Sequence, residues 1–462
     1  MRSLYRLLHR VSPWLARFLK NAYWSLDGWR FDDLKRAVEQ STNSEYPIVM
    51  SIDEIVNGGT REMAFVTNLP PEETGIATCS YYSWLGQRDV GLDLYGPVVD
   101  VDWFIRNRAL MGRAGDVRVF DIRALLTGGM FADYKYIVVA VGNSPHSEYL
   151  RTVLRKMRES NLMEKVAVYL HDPCVLNFVR IMHDNDPVRI ASEMRRLYRE
   201  RADVNVQVLY RGEAWHWERS LIDRGVLGAR YFYDLGVRRF LVNSGAAKDL
   251  VVGDLDVGDA EVSQVFHPAF LPDGSAHIAV QRSGSFVIGT FGVPGNAKRT
   301  GLVFEAVAEL RRGGLDAQLV VAGYGANEFV SRQVPTAVAR ATIVFDNPTN
   351  AELRDIMASV DIAVQLRERN LGESSGVVPQ LLMLGKNVVV SDVGSFREYG
   401  AAVKLLPEEA SATELAEVLM QLQVRPIEPE NIRRYIERHT PTAFRSALLG
   451  ALRQNGSHVV HM

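Results

Sequence analysis

The stretch "GESSGVVPQLLMLGKNVVVSDVG", residues 372–394, decides the fold that this sequence predicts. A carboxylate, two serines and a glycine precede an apolar run, and a valine-rich run ending in Ser-Asp follows. Small polar residues are typical N-caps, so a helix is predicted to begin near Gly376 and to lead into a buried strand. The polar residues at such a helix start either only cap it or also face an anionic ligand, and the two roles are compatible.

Buried strands of the same kind recur along the chain and alternate with helical patterns. Runs rich in Val and Ile, without polar alternation, are typical of parallel sheets covered on both faces. The first half contains "EMAFVTNLP", "YKYIVVAVGNSP", "EKVAVYLHDP" and "RRFLVNSGAAKDLV", and the second half contains "SFVIGTFG", "AQLVVAGYG", "ATIVFDNP", "DIAVQLR" and "NVVVSDVG". The sequence therefore predicts an α/β protein with two doubly wound, Rossmann-like domains that face each other across a cleft, where the strands' carboxyl ends bind ligands.

Length and composition divide the chain into four predicted parts. A chain of 462 residues is too long for one ordinary core, and two domains of roughly 200 residues are expected. The Pro-, Gly- and Ser-rich stretch "PAFLPDGSAHIAVQRSGS" is interpreted as the linker between them. The parts are an N-terminal segment (1–45), a first domain (60–270, with a helical insertion near 177–233), a second domain (283–428) and a C-terminal helix (429–462) that can cross back to the first domain.

The N-terminal segment is basic and amphipathic. Its first 24 residues contain five cations and no acid, and leucines and other apolar residues recur at helical spacing. Such a segment either lies on an anionic membrane surface or packs on its own domain with its arginines solvated. A signal peptide is not predicted, because Arg10 and Arg17 interrupt any apolar region.

The overall composition excludes several classes of protein. The net charge of −2 gives no general attraction to nucleic acid, and no nucleic-acid partner is predicted. Two cysteines, Cys79 and Cys174, provide neither a disulfide framework nor metal-ligand spacing. No apolar run approaches the ~20 residues that span a bilayer. A cytoplasmic protein is expected, with the inner face of the membrane as a further location if the N-terminal segment binds lipid.

The order of the motifs resembles a known family of enzymes. The motifs are "LPPEETGIA", "VGNSPHSEYL", "VYLHDPCVL", "FLVNSGAAKDLV", "IGTFGVPGNAKRTGLVFEAVAELRRGG", "LVVAGYG" and "GESSGVVPQLLMLGKNVVVSDVGSFRE". Together they cover about Ala64 to Glu398 and are similar to retaining, nucleotide-sugar-dependent glycosyltransferases of the GT-B fold. The resemblance is to the large family 4-like group, also called glycosyl transferases group 1, which includes hexosyltransferases of bacterial surface-polysaccharide assembly.

The resemblance implies transfer of a hexose from a nucleoside-diphosphate sugar to a hydroxyl of a lipid-linked or polysaccharide acceptor, with retention and without a metal or cofactor. Retention is expected to come from front-face attack, because the sequence places no second carboxylate for a double displacement. Two other functions stay open. One is a sugar-nucleotide epimerase or phosphorylase of the same fold, and the other is a binding or scaffold subunit without turnover.

In the second domain, the resemblance implies that cations and a helix start hold the donor. Lys298 matches the pyrophosphate-binding lysine, and Glu373 matches the first acid of a paired-glutamate motif near the donor sugar. If Lys298 and Arg299 only began a solvated helix, they would lie at the end of the helix dipole that disfavours cations. The implied donor-binding residues are Gly75, Gly292, Lys298, Arg299, Gly323, Ser374, Ser375, Gly376, Val377 and Gln380, and the implied catalytic residues are His171, Glu373 and Lys298.

Two positions depart from the family's pattern. Many relatives have an arginine where this chain has Val293, so one of the two usual cations is missing, and Arg299 or an arginine from elsewhere is expected to replace it. The family's second glutamate usually holds the ribose, and the nearest equivalent here is Gln380, one residue short in spacing. An amide can bind ribose hydroxyls, although less strongly than an anion.

In the first domain, His171 follows a buried strand and is expected, by resemblance, to contact the donor sugar. Asp172 either orients that histidine or caps the next helix. His146 is a second candidate, for contacts with the acceptor, and Asn143 and Ser144 are interpreted as caps. Gly75 lies in a loop that, by resemblance, approaches the diphosphate or the acceptor, although a simple turn also explains such a loop.

Two acidic stretches resemble the D-x-D metal motif of a different glycosyltransferase fold. They are Asp100–Asp102 and Asp254–Asp259. Because the surrounding sequence does not fit that fold, both are interpreted as solvated loops, and no catalytic metal is predicted. The "GYG" at 323–325 lacks the full dinucleotide spacing and matches the family's loop near the nucleotide base instead.

Overall fold

The computed structural model describes residues 61–72, 74–87, 90–98, 100, 104, 117–126, 134–274, 276, 278, 280 and 286–454. The basic amphipathic segment predicted for 1–45 lies outside the described residues, and so does most of the acidic stretch at 100–102.

The chain forms two compact units. Of the described residues, the first contains those up to Leu241, Val251–Ser263 and Leu452–Gln454. The second contains Val242–Leu250 and Gln264–Ala451. The domain ranges drawn from the sequence stay predictions.

The first sheet has seven strands in the order β3-β2-β1-β4-β5-β6-β7. The pairs β1–β2, β1–β4, β2–β3 and β4–β5 are parallel. The strands are β1 Met63–Val66, β2 Leu92–Gly96, β3 Val117–Asp121, β4 Tyr136–Val141, β5 Val166–Leu170, β6 Arg239–Val242 and β7 Glu261–Gln264. The helices between them are α1 Gly75–Trp84, α2 Ile122–Leu125, α3 Leu150–Glu159, α4 Leu176–Met182, α5 Pro187–Tyr198, α6 Gln207–Tyr210, α7 Ala214–Ile222, α8 Arg230–Asp234 and α9 Gly245–Leu255.

The second sheet has six parallel strands in the order β10-β9-β8-β11-β12-β13. They are β8 Phe286–Phe291, β9 Ala317–Gly323, β10 Thr342–Asp346, β11 Ile362–Gln365, β12 Asn387–Ser391 and β13 Lys404–Leu406. The helices are α10 Thr300–Arg312, α11 Ala326–Gln333, α12 Thr336–Ala339, α13 Asn350–Ser359, α14 Val377–Met383, α15 Ala412–Val424, α16 Pro429–Arg438 and α17 Pro441–Gln454. Arg453, at the end of α17, groups with the first unit and binds the Glu62 carboxylate at 3.0 Å. The predicted α/β class with two doubly wound sheets is confirmed.

Both faces of the second sheet are buried. Ile288, Leu319 and Val364 pack in one apolar cluster together with helices α10 and α15. Their strand neighbours Val287 and Ala363 pack in a second cluster with helix α14. Because side chains alternate between the faces of a strand, strands covered on both faces need apolar residues at every position. This explains the valine-rich runs without polar alternation.

The interpretation of 254–259 as a solvated loop is wrong for Asp254. This residue lies in helix α9 and is fully buried. Its carboxylate accepts hydrogen bonds from the Tyr198 hydroxyl at 2.9 Å, the Leu227 N–H at 2.6 Å and the Ala229 N–H at 2.8 Å. Local sequence patterns do not reveal this role, because the partners lie 25 or more residues away. Asp254 therefore organises the turn before helix α8.

Replacing Asp254 with alanine is expected to destabilise the first unit. The change leaves two buried N–H groups and a buried hydroxyl without their acceptor, which costs about 2–4 kcal/mol. Chemical denaturation followed by circular dichroism measures the loss. Asp203→Ala is the control, since that side chain is 76% exposed and its φ is negative, and it should change stability by less than about 0.5 kcal/mol. Equal losses in the two variants would contradict the role of Asp254.

Candidate active site

Helix α14 starts where the sequence predicts, and its cap is Ser375. The Ser375 hydroxyl accepts hydrogen bonds from the N–H groups of Val377 and Val378, each at 3.3 Å. Ser375 is buried, whereas Ser374 lines a cavity described below. Gln380 lies half-buried on the same short helix. Ser375 therefore caps helix α14.

The loop before this helix is held in a fixed conformation. The Asn370 carbonyl oxygen of the side chain accepts from the N–H of Gly372 at 2.7 Å and from the N–H of Ser395 at 3.1 Å. The Glu373 carboxylate accepts from the Leu371 N–H at 2.7 Å, and the Glu373 main-chain oxygen accepts from the Ser395 hydroxyl at 2.7 Å. The Glu373 carboxylate is therefore oriented by its own loop, at the carboxyl side of β11.

Lys298 lies in a loop that depends on two glycines. Strand β8 ends at Phe291, and Gly292 follows with φ +89°. A Cβ atom on Gly292 would lie 2.4 Å from the Lys298 Nζ, and a Cβ atom on Gly323 would lie 2.3 Å from the Gly292 carbonyl oxygen. Only glycine fits at both positions. Gly292 and Gly323 thus allow the ammonium to pack directly on the backbone at the carboxyl ends of β8 and β9.

The environment of Lys298 disfavours its charge. The pKa of Lys298 is lowered to about 7, mainly by burial and to a smaller extent by the nearby Arg367 guanidinium. Among the described residues, no carboxylate lies within ion-pair distance of the Lys298 ammonium. A buried cation without a local counter-ion is typical of a site that receives an anionic ligand.

Arg367 joins this group, and sequence reasoning did not single it out. It follows strand β11, which pairs with β8. The Glu368 N–H donates to the Ala297 carbonyl oxygen at 2.8 Å, which ties the loop of Arg367 to the loop of Lys298. Burial lowers the pKa of Arg367, and the Glu373 carboxylate opposes that shift. The available signal was its position directly after the apolar run "DIAVQL", at the carboxyl end of a strand.

Arg299 makes different contacts. Its guanidinium donates to the carbonyl oxygens of Glu408 at 2.7 Å and Ala410 at 2.8 Å. Its backbone has φ +49°, immediately before helix α10. The Arg299 side chain therefore stabilises the loop before α15. Its role in binding the donor stays a prediction.

In the first unit, His171 and Asp172 directly follow strand β5. The His171 N–H donates to the Val141 carbonyl oxygen at 3.1 Å, and its ring packs on Tyr169 with centroids 4.3 Å apart. Asp172 accepts from the Asn143 N–H at 3.2 Å, and burial raises its pKa. Asp172 therefore links the ends of two neighbouring strands. The Asn143 side-chain oxygen in turn accepts from the Phe178 N–H at 3.0 Å, in the first turn of α4.

The other candidates of the first unit lie at the ends of β1 and β4. Gly75 is the first residue of helix α1, with open space beside its Cα, and Thr74 caps that helix by accepting from the Ala77 N–H at 3.0 Å. His146 is half-exposed, and its Nδ1 lies 3.3 Å from a Glu72 carboxylate oxygen. Ser144 precedes a short 3₁₀ helix without a side-chain capping bond. The predicted acceptor role of His146 is untested by these contacts.

The second unit also contains a polar cavity of about 260 Å³. His267 and His439 lie in its wall, each with Nδ1 within hydrogen-bond distance of a backbone carbonyl oxygen. This assigns the proton to Nδ1 and makes Nε2 an acceptor. Burial lowers the pKa of His267 to about 4, so that imidazole is neutral. The cavity is lined by Asn243, Ser244, Gln264, Val265, Phe266, His267, Ser374, Ser395, Glu398, Tyr399, Tyr435 and His439.

No group of three or more His, Cys, Asp or Glu side chains in the described part of the chain could hold a metal ion. None of the helices in that part is long and apolar enough to cross a membrane.

Comparisons with known proteins concern the second unit by sequence and the whole described chain by structure. Residues 285–423 match the family model described as "Glycosyl transferases group 1". The chain is similar to trehalose-6-phosphate synthase, with a TM-score of 0.53 and 11% identity over 85% of this chain and 99% of that one. It is also similar to sucrose-phosphate synthase from Thermosynechococcus elongatus, with a TM-score of 0.51 and 10% identity over 85% and 98% of the two chains.

A third similar structure is the UDP-forming α,α-trehalose-phosphate synthase from Burkholderia xenovorans in complex with glucose-6-phosphate. The TM-score is 0.51, with 10% identity over 86% of this chain and all of that one. No curated protein matches the chain by sequence. At identities this low the structural likeness concerns the fold, and it confirms the predicted GT-B class.

Proposed function

We propose that the protein transfers a hexose from a nucleoside-diphosphate sugar to a hydroxyl acceptor, because residues 285–423 match the family model of the glycosyl transferases group 1. The observation that carries the proposal is the half-buried ammonium of Lys298, which lies beside Gly292 at the carboxyl end of β8 without a carboxylate partner among the described residues. A diphosphate supplies the missing counter-charge. As the glycosidic bond breaks, a fixed cation stabilises the charge that develops on the leaving group.

Glu373 is proposed to act on the donor sugar. Its carboxylate is held by the Leu371 N–H and lies close enough to Arg367 to influence the pKa of that guanidinium. A carboxylate in this position accepts hydrogen bonds from sugar hydroxyls or stabilises an oxocarbenium ion. The residues at the start of helix α14, from Ser374 to Val377, and the ribose contact of Gln380 complete the proposed donor site.

The proposed mechanism is transfer with retention by front-face attack. The acceptor hydroxyl forms the new bond to the anomeric carbon, the bond to the diphosphate breaks, and the departing phosphate oxygen takes the acceptor proton. The protein supplies positioning and electrostatic stabilisation. His171 is proposed to hydrogen-bond a hydroxyl of the donor sugar. A lipid-linked or polysaccharide acceptor is favoured by the basic amphipathic sequence of the N-terminal segment.

The test is a transfer assay with a panel of nucleoside-diphosphate sugars and with glycolipid and glycan acceptors from membrane extracts. Transfer of labelled sugar that continues in EDTA is the expected result. Binding of the nucleotide sugar without any turnover would favour a scaffold subunit instead. Rearranged sugar nucleotide, or release of sugar phosphate that requires added phosphate, would favour an epimerase or a phosphorylase.

Glu373→Gln is expected to lower the transfer rate about 100- to 1,000-fold, because the amide lacks the charge that the transition state needs. Affinity for the nucleoside diphosphate should change less than about threefold, since the carboxylate is proposed to serve the sugar and not the phosphates. Steady-state rates and calorimetric titrations measure the two quantities. Glu368→Gln, an exposed acid of the same loop, is the control. Full activity of Glu373→Gln would remove Glu373 from the mechanism.

A further inference from the structure

Two cations lie close together at the ends of neighbouring strands. Lys298 belongs to the loop after β8, and Arg367 directly follows β11, which pairs with β8. Both side chains are half-buried, and the hydrogen bond from the Glu368 N–H to the Ala297 carbonyl oxygen joins their loops. Two like charges in a poorly solvated site repel each other, so this arrangement costs free energy in the absence of a ligand.

The surroundings only partly compensate these charges. The Arg367 guanidinium donates to the Leu366 carbonyl oxygen at 3.0 Å and lies over the Phe396 ring at 5.6 Å. The main-chain N–H of Arg367 donates to the Ser391 hydroxyl at 2.9 Å, which fixes the start of the loop. Within the described residues, no carboxylate forms an ion pair with either cation at 4 Å or less. Most N–H groups of the guanidinium fork are therefore available to a ligand.

Other sources of a second cation are less suitable. Val293, at the position where the resembled family often has arginine, is 57% exposed and has no charge. Arg299 is adjacent to Lys298 in sequence, but its guanidinium is engaged with the carbonyl oxygens of Glu408 and Ala410. Arg299 would have to break both of these hydrogen bonds to reach a ligand, and the ligand would have to compensate for their loss.

We propose that Arg367 is the second cation that holds the donor diphosphate, together with Lys298. Arg367 follows β11, whereas the arginine of the resembled family lies in the loop after β8, where this chain has Val293. This inference rests on the proposed function. A planar guanidinium binds two phosphate oxygens at once, and the ammonium binds as a point charge. A diphosphate between the two groups replaces their repulsion with two attractions.

The pairing has a consequence for protonation. An arginine stays charged at every accessible pH, so the lysine is the group that loses its proton in the unoccupied site. Burial and Arg367 bring the pKa of Lys298 to about 7, and a bound diphosphate raises it again. Around pH 8, binding should therefore take up a proton, and affinity should fall as the pH rises above 7. Arg367 is the charged group that affects Lys298 here, while Glu373 and Tyr399 act on Arg367.

The test is calorimetric titration of the full chain with UDP, GDP and ADP, followed by the variants with the tightest of the three. Arg367→Gln should weaken binding about 10- to 100-fold, the loss expected for a charge-assisted contact. At pH 8, titrations in buffers of different ionisation enthalpy should show proton uptake in the natural protein and less uptake in Arg367→Gln. A merely structural role of Arg367 would not change the proton uptake.

The control is Arg397→Gln, an exposed arginine of the same unit that binds Asp392 at 2.6 Å, and its affinity should stay within about twofold. Arg299→Gln discriminates between the two candidate cations. Unchanged affinity in Arg367→Gln, or a loss found in Arg299→Gln alone, overturns the inference. If Arg367→Gln does not fold, Arg367→Met serves instead, and affinity equal to that of the natural protein overturns the inference. Failure of all three diphosphates to bind the natural protein would overturn the proposed function itself.

Discussion

Replacing Lys298 with methionine is expected to abolish measurable sugar transfer and at the same time to make the second unit harder to unfold. Transfer should fall at least about 100-fold, because the leaving diphosphate loses its fixed ammonium. Stability should rise by about 2–4 kcal/mol near neutral pH, since a methionine fills similar space without the cost of a buried charge. Steady-state rates and calorimetric unfolding of the same preparation measure both effects.

The gain in stability of Lys298→Met should depend on pH, and the pKa of Lys298 fixes the direction of that dependence. In the folded protein the pKa of Lys298 is about 7, and the ordinary value is 10.5. Below pH 7 the lysine is charged in both the folded and the unfolded state, so the folded state has the full free-energy cost of burying that charge. Between these values the folded state has released its proton while the unfolded state keeps it, and the penalty declines as the pH rises. The advantage of Lys298→Met should therefore be largest below pH 7 and vanish near pH 10.5.

Lys404→Met is the matched control for this experiment. Lys404 is exposed on strand β13 of the same unit, so its charge stays in water in both states. Its replacement should change stability by less than about 0.5 kcal/mol and leave transfer intact. The interpretation of Lys298 is wrong if Lys298→Met retains transfer, or if its unfolding shows no pH-dependent gain over Lys404→Met.

Gly372→Ala is expected to have the second large effect. Gly372 has φ +97°, and a Cβ atom on it would lie 2.4 Å from the Ala247 nitrogen and 2.5 Å from the Ala247 Cα. These are backbone atoms, which cannot rotate away as the end of a side chain can. The Ser244 hydroxyl also donates to the Gly372 carbonyl oxygen at 2.8 Å, so the two segments are held at this spacing. The combined backbone strain and overpacking should cost about 3–5 kcal/mol.

The same change should reduce sugar transfer more than stability alone explains. Glu373 is the next residue, and its carboxylate is oriented by the loop that Gly372 belongs to. A shift of about 1 Å in a catalytic group can lower a rate 100-fold. Urea unfolding gives the stability, and rates measured well below the unfolding transition give the activity.

Gly385→Ala separates backbone strain from steric overlap. Gly385 also has a positive φ, +67°, but a Cβ atom there meets nothing within 4 Å. Its replacement should cost only about 1 kcal/mol and leave transfer unchanged. Similar losses in the two glycine variants would show that the close approach to Ala247 has no energetic importance.

The sequence predicted the fold class through local signals. Valine-rich runs indicated strands buried on both faces, and both sheets have such strands. The cap of helix α14 could also be predicted from the sequence, because the Ser375 hydroxyl accepts hydrogen bonds from N–H groups only two and three residues further along the chain. Lys298 could be singled out by resemblance and by its unfavourable place at a helix start.

The contacts that complete the candidate site could not be read in this way. Arg367 lies 69 positions after Lys298, and the two come together because β11 pairs with β8 in the sheet. Arg299, adjacent to Lys298 in sequence, is directed to carbonyl oxygens more than 100 residues away. Asp254 looked like part of a solvated acidic loop and is a fully buried acceptor.

Local sequence patterns are sufficient to predict the alternation of strands and helices, the buried faces of the strands and the helix start after Glu373. These features depend on the preferences of each residue and its near neighbours for water and for backbone conformation. The folded chain was needed to show which cations lie close together, which arginine is bound elsewhere and why Gly372 must lack a side chain. Those outcomes depend on strand order and on close approach of distant backbone segments, to which periodicity and capping signals are insensitive.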